Sequence, residues 1–156
     1  MRTRMILCLT LLLMLFGCDN GEQEIIVAPK GYKGYIVIIF NQKDGQPAKY
    51  EGKKRVYEIP QSGILKTQFT ANYGWREFAE YYYGKIASEN RLPSFAKIEK
   101  VPADTVGGFM GANGNANKDY EGKETVEYSL YYIGTRSDIE RTQEQAEKLD
   151  IVKLAE

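Results

Sequence analysis

Six consecutive residues, Tyr35-Ile36-Val37-Ile38-Ile39-Phe40, form the longest unbroken apolar run of the chain after its N-terminal leader, and they narrow its folding options most. β-branched and aromatic side chains dominate the run, and the polar Asn41-Gln42-Lys43-Asp44-Gly45 closes it, which predicts a strand buried on both faces. Two further runs, Lys54-Arg55-Val56-Tyr57-Glu58-Ile59 and Ile64-Leu65-Lys66-Thr67-Gln68-Phe69, flank Pro60-Gln61-Ser62-Gly63. Proline pre-sets φ and glycine accepts a positive φ, so this is turn chemistry between partners. The stretch from Gly31 to Phe69 therefore predicts a small antiparallel sheet.

The N-terminus speaks to location. Arg2 and Arg4 precede an apolar run from Met5 to Phe16, followed by Gly17-Cys18-Asp19-Asn20. A basic start, a short apolar stretch and a small residue before the cut are the parts of a secretory signal. The run is too short to remain as a bilayer-spanning helix. Leu15-Phe16-Gly17-Cys18 resembles the lipobox of bacterial lipoproteins, in which the chain is cut before the cysteine and the sulfur carries diacylglycerol. Phe16 departs from the small or branched residue usual at its place. The resemblance implies residues 1–17 as leader and Cys18 as the acylated residue, with several acyl chains giving a stable membrane anchor.

Removing the leader changes the composition. Loss of Arg2 and Arg4 takes the 21 basic residues to 19 against 21 acidic ones, a net charge of −2. No basic excess remains to bind nucleic acid or anionic lipid heads. Cys8 leaves with the leader and Cys18 is acylated, so the mature chain has no pair for a disulfide. The 139 residues from Cys18 to Glu156 suit one domain with its own core.

Residues 18–24 are expected to be the lipidated cysteine and a polar tether, spanning roughly 20 Å when extended. Residues 25–136 are expected to form the β-domain. Glu24 to Ala28 is predicted as its first strand, stopped by Pro29, and Lys33 to Phe40 as its second. Pro47 to Lys53 is expected to be a loop. Trp75 to Gly84 is expected to be a strand on the β propensity of Tyr81-Tyr82-Tyr83, and Ser94 to Val101 another. Asp104 to Lys123, rich in Gly and Asn, is expected to be a long loop. Thr125 to Ile133 alternates, with Val126, Tyr128, Leu130 and Tyr132 sharing one face. Residues 137–156 change period and predict one helix, its start marked by a capping box of Ser137 and Glu140. Its thin apolar stripe, Ile139, Ala146, Leu149 and Val152, suggests a helix lying on the sheet or projecting from it.

Gly31-Tyr32-Lys33-Gly34 entering the long strand, Ile59-Pro60-Gln61-Ser62-Gly63-Ile64-Leu65-Lys66-Thr67, and Tyr131-Tyr132-Ile133-Gly134-Thr135 before the helix together resemble an uncharacterised domain-of-unknown-function family of short bacterial envelope lipoproteins. These motifs are strand entries and turns, and the resemblance implies no catalytic residue. The strand pattern is also similar to small sandwich modules of the transthyretin type, by analogy alone.

The sequence contains no histidine. That removes Ser-His and Cys-His nucleophiles, histidine bases and histidine metal sites together. Carboxylate pairs remain available for glycoside hydrolysis, with Asp44, Glu58, Asp104, Asp119 and Glu121 as candidates. Against them stands the ordinary role of acids as a solvated surface. Twelve tyrosines are more than a core of this size needs. Adjacent tyrosines on a strand point to opposite faces, so Tyr81, Tyr83, Tyr131 and Tyr132 become candidate ligand-binding rings, with packing under a helix or loop as the alternative. Asn113, Asn115, Asn117, Asp119, Glu121 and Glu124 match the spacing of a twelve-residue calcium loop. Lys118 stands where that loop needs glycine, and Asn/Gly-rich segments also arise for turn reasons.

The expected architecture is mainly β: an antiparallel β-sandwich of about seven strands with one C-terminal α-helix. The expected function is a membrane-anchored, extracytoplasmic envelope lipoprotein that binds a protein or glycan partner without catalysis. A carboxylate-dependent glycoside hydrolase of envelope polysaccharide and an inhibitor or immunity-type lipoprotein are the alternatives. No cofactor is expected apart from the calcium candidate, and no nucleic-acid partner.

Overall fold

The computed structural model describes residues 20–156, so the leader and Cys18 lie outside the described residues. Two apolar strands form the centres of two sheets. β1 (Glu24–Ala28) is buried along its whole length, and β2 (Gly34–Ile39) is buried except at the half-buried Tyr35. Around β1 stand β3 (Tyr50–Glu51), β4 (Lys54–Glu58), β6 (Glu80–Tyr83) and β7 (Arg91–Leu92), in the order β3-β4-β1-β6-β7. Around β2 stand β5 (Ile64–Lys66), β8 (Ser94–Phe95), β9 (Gly107–Asn117) and β10 (Thr125–Gly134), in the order β5-β2-β10-β9-β8. Ile26, Tyr57 and Tyr81 from the first sheet meet Ile36, Ile38, Tyr131 and Ile133 from the second in the core between them. The chain is a mainly β sandwich, as its sequence predicts.

Strand pairing corrects the expectation of about seven antiparallel strands. Both sheets are mixed. β1 runs parallel to β4 and β6, β2 parallel to β5, and β8 parallel to β9. Antiparallel pairing joins β10 to β2 and β9, β3 to β4, and β6 to β7. The turn before β5 explains much of this. Gly63 has φ +79° and donates its N–H to the Pro60 carbonyl at 2.9 Å, as the turn chemistry requires. The turn then carries the chain from one sheet to the other instead of folding it back, so β4 ends beside β1 and β5 beside β2.

The long loop expected over Asp104–Lys123 is corrected too. Its glycines make a strand possible, because aromatic rings of neighbouring strands lie across them. A Cβ on Gly107 would come within 2.3 Å of the Phe95 ring, on Gly108 within 2.2 Å of Tyr81, and on Gly111 within 2.4 Å of Tyr132. Glycine weakens an isolated strand; a ring laid over it restores buried contact. Between Leu130 and Tyr131 the β9–β10 register slips, leaving Gly111 as the extra residue of a bulge. Beyond Phe109, the outer edge of β9 has no strand partner among the described residues.

Other boundaries contract. Of the strand expected over Trp75–Gly84, only Glu80–Tyr83 forms, and of Ser94–Val101 only Ser94–Phe95, followed by a 3-10 turn over Ile98–Lys100. Pro47–Lys53, expected to be loop, holds the short β3.

The C-terminal segment forms two helices, α1 (Arg136–Ala146) and α2 (Ile151–Ala155), rather than one. Thr135 and Asp138 make the capping box expected of Ser137 and Glu140: each side chain accepts from the other's backbone N–H. Asp150 caps α2 by accepting from Lys153 N–H at 3.1 Å. Both helices lie on the outer face of the second sheet. Ile139 and Ala146 cover Tyr132, while Ile151 packs with Val37, Ile39 and Val126. The alternation read in β10 is therefore real, but Tyr131 and Ile133, on its other face, point into the sandwich.

Candidate functional site

Three of the four candidate ligand-binding tyrosines have no surface to offer. Tyr81 and Tyr131 are 0% exposed and Tyr132 is 4% exposed. The expectation that adjacent rings would divide between core and solvent fails because β10 is covered on both faces. Burial pushes the Tyr81 and Tyr131 hydroxyls well above the ordinary tyrosine range, and the Glu24 charge adds to it. Tyr83 differs. It is half-buried, and its hydroxyl donates to the Tyr32 carbonyl at 2.6 Å.

The calcium candidates are also separated. Asn113, Asn115 and Asn117 are strung along β9, and a rise of about 3.3 Å per residue sets the first and last roughly 13 Å apart. Asn113 instead accepts from the Ser129 hydroxyl at 2.6 Å. Asp119 closes the following turn, its carboxylate accepting from the Lys123 and Glu124 N–H groups at 3.0 and 2.9 Å. Glu121 pairs with Lys123. The loop spacing presupposed a coil that folds round one point, whereas β9 is extended.

The acids proposed for hydrolysis are scattered: Asp44, Glu58, Asp104, Asp119 and Glu121 are on the surface, with Glu58 paired to Lys49. The acid that organises its surroundings is Glu24, which the sequence reading placed in β1 without a role. Its side chain is 1% exposed and takes Tyr131 Oη at 2.7 Å, Asn72 Nδ2 at 2.8 Å, Arg76 Nε at 3.0 Å and Tyr57 Oη at 3.5 Å. A buried charge persists only when paired and hydrogen-bonded, and here four donors surround one carboxylate. Glu22 pairs with Arg55, which also donates to the Thr70 carbonyl.

This network binds the segment expected to be a tether onto the body. Gly21 N–H donates to the Trp75 carbonyl at 3.0 Å, Glu22 N–H to Asn72 Oδ1 at 2.9 Å, and Asn72 Nδ2 back to the Glu22 carbonyl at 2.7 Å. Residues 20–24 are thus fixed to the loop of residues 70–78. The sequence signal was present only in part, as an isolated glutamate opening an apolar strand.

At the opposite end of β1, where β6 also ends, lies an open depression of about 510 Å³. Tyr83 and Leu92 line it together with Lys30, Lys85, Arg91 and Glu89. The turn leaving β6 at Gly84 has φ +70°, which swings Lys85 over the rim. Lys85 and Glu89 approach only to 3.9 Å, and Arg91 and Glu80 to 3.8 Å, so these cations are loosely paired. Nearby, Lys33 donates to Asp138 at 3.0 Å and holds that carboxyl down at about 2, with the Thr135 hydroxyl helping. Three cations gathered around a partly exposed tyrosine can hold a negatively charged group. Lys30, Lys85 and Arg91 are scattered in sequence, and no local spacing announces them.

No curated protein matches the chain. Among solved structures, a Bacillus anthracis protein named Putative Lipoprotein is similar in fold, with a TM-score of 0.51 and 12% identity over 72% of this chain and 69% of its own. A family model matches residues 20–132, from the pinned segment through Tyr132 in β10. That match takes in both sheets and leaves out the two helices. The chain belongs to the family of unknown function DUF6843.

Proposed function

We propose that this protein is a lipid-anchored envelope lipoprotein, on the extracytoplasmic side, that binds an anionic protein or glycan partner without catalysis. The observation that carries the binding role is the depression around Tyr83, lined by Lys30, Lys85 and Arg91, of which Lys85 and Arg91 are only loosely paired. Anchoring is supported by the leader followed by Cys18, and by the fold shared with a protein named as a lipoprotein. Non-catalysis is supported by the placement of the acids. Glu24 is fully engaged by its four donors, and the hydrolase candidates do not converge on a cleft.

The geometry makes the two ends of β1 work differently. The chain enters at Asn20 beside the Glu24 network, and the depression lies one strand length away, roughly 17 Å. An anchor at the first end leaves the second facing away from the membrane, open to an envelope partner.

In-cell crosslinking tests the reading. A photoreactive residue at Lys85 should capture a partner that the same residue at an unrelated surface site does not, and Lys30→Glu with Arg91→Glu should abolish the capture. Equal capture from both sites, or capture that survives charge reversal, rejects the depression as the site. Changing Cys18→Ala should abolish labelling by a palmitate analogue, and undiminished labelling rejects the anchor. Release of reducing sugar from envelope glycans, lost on a single Asp or Glu substitution in a still-folded protein, would favour the hydrolase.

A further inference from the structure

We propose that Trp75 and Phe78 form an interfacial contact that seats the domain on the bilayer surface; this rests on the anchoring of Cys18. The segment from Asn72 to Phe78 is irregular, with a bend at Gly74, φ +94°. Asn72 and Arg76 turn inward to Glu24, and the opposite side carries Trp75, 75% exposed, and Phe78, 57% exposed. Both rings line one open hollow, together with Arg76 and Glu77. Tryptophan is strongly buried on average, and neighbouring exposed rings mark a contact surface.

Position identifies what covers them. Asn20 forms a backbone bridge with Trp75, Gly21 N–H donates to the Trp75 carbonyl at 3.0 Å, and Gln23 Nε2 donates to the Phe78 carbonyl at 2.8 Å. Cys18 precedes Asn20 by two residues, a reach of about 7 Å. The headgroup layer on each side of a bilayer is roughly 5–7 Å deep. A lipid entering the membrane at Cys18 therefore brings the Trp75 backbone to the depth where tryptophan prefers to sit, at the boundary of headgroups and acyl chains. The hydrogen bonds of residues 20–24 keep the patch from swinging away. A bilayer at this edge would leave the Tyr83 depression uncovered.

The chain contains a single tryptophan, so Trp75 reports on itself. The full lipidated protein is reconstituted in phosphatidylcholine vesicles, with and without bromine atoms high on the acyl chains. Acylation of Cys18 is read separately by mass spectrometry of the N-terminal peptide. Bromolipid should quench Trp75 emission by about half, as expected for a ring at the acyl boundary, and Phe78→Ser should cut that quenching at least twofold while the thermal melt stays cooperative. Acylated protein whose Trp75 is unquenched and remains open to aqueous acrylamide overturns the docking and leaves the anchor intact. So does protection of Trp75 without bromolipid quenching, which would assign the patch to a second copy or a protein partner. An unacylated Cys18 removes the anchor and the docking with it.

Discussion

The two ends of β1 are built on opposite principles. Around Glu24, five polar side chains close on one another with almost no exposure, and the backbone of residues 20–24 is hydrogen-bonded to the adjoining loop. Around Tyr83, charges stand in solvent at 3.8–3.9 Å from their nearest partners. A sealed network resists deformation because loss of one member leaves another buried without its partner, and for Glu24 and Arg76 buried with an uncompensated charge. Loosely paired surface charges contribute little to stability and remain available. One end of the molecule is therefore sealed and the other open to solvent.

The sharpest way to break that contrast is at Glu24. Changing Glu24→Gln leaves the Arg76 guanidinium buried without its counter-charge and should cost about 3–5 kcal/mol in chemical denaturation. A loss under about 1 kcal/mol would mean that Arg76 reaches water and that the network is not sealed. Midway in effect stands Gly108→Ala. Its new methyl would meet the Tyr81 ring at 2.2 Å, and displacing a ring in a packed core should cost about 1–3 kcal/mol in the same assay.

At the distal end the effects shrink. Asp138→Ala removes one half of the capping box of α1, leaving the Thr135 cap, and removes the Lys33 pair, for about 1 kcal/mol. Since Lys33 holds Asp138 at about 2, below the ordinary carboxylate value of about 3.9, its contribution is complete above pH 4 and is lost as pH falls through 2. The melting temperature of the variant should accordingly fall less than that of the parent between pH 4 and pH 2. Smallest of all, Lys85→Glu or Arg91→Glu should shift stability by no more than about 0.5 kcal/mol while weakening partner capture. A large stability loss from either would show the rim to be structural and erase the difference between the ends.

The sequence reveals what neighbouring residues decide among themselves. Glu24–Ala28 is a strand at its predicted limits, and β10 keeps its predicted alternation, because apolar periodicity is a local property. The turn at Pro60–Gly63 was legible as a turn, but its destination in the other sheet depends on which strand is waiting there. β9 was illegible for a deeper reason. Gly107, Gly108 and Gly111 read as coil until the rings of Phe95, Tyr81 and Tyr132 are laid over them, and those rings come from other strands. The same covering misled the choice of tyrosines: with α1 and α2 on the second sheet, no face of β10 was left for solvent. Of the candidate site, Tyr83 is named from sequence, whereas Lys30 and Lys85 are brought to it by the parallel pairing of β1 with β6, and Arg91 by the antiparallel pairing of β6 with β7.

The open edge of β9 acquires meaning once many copies share one surface. On the proposed anchor, molecules are confined to a thin layer, where their effective concentration would far exceed that in solution and encounters edge to edge would be frequent. A long flat apolar edge would template pairing between copies and seed aggregates. From Gly111 onward this edge reads Gly-Ala-Asn-Gly-Asn-Ala-Asn, low in β propensity, and it starts from the bulge at Gly111 that twists it out of line. The composition that hid the strand from sequence reading also makes it a poor template, so a dense population of these domains can stay separate.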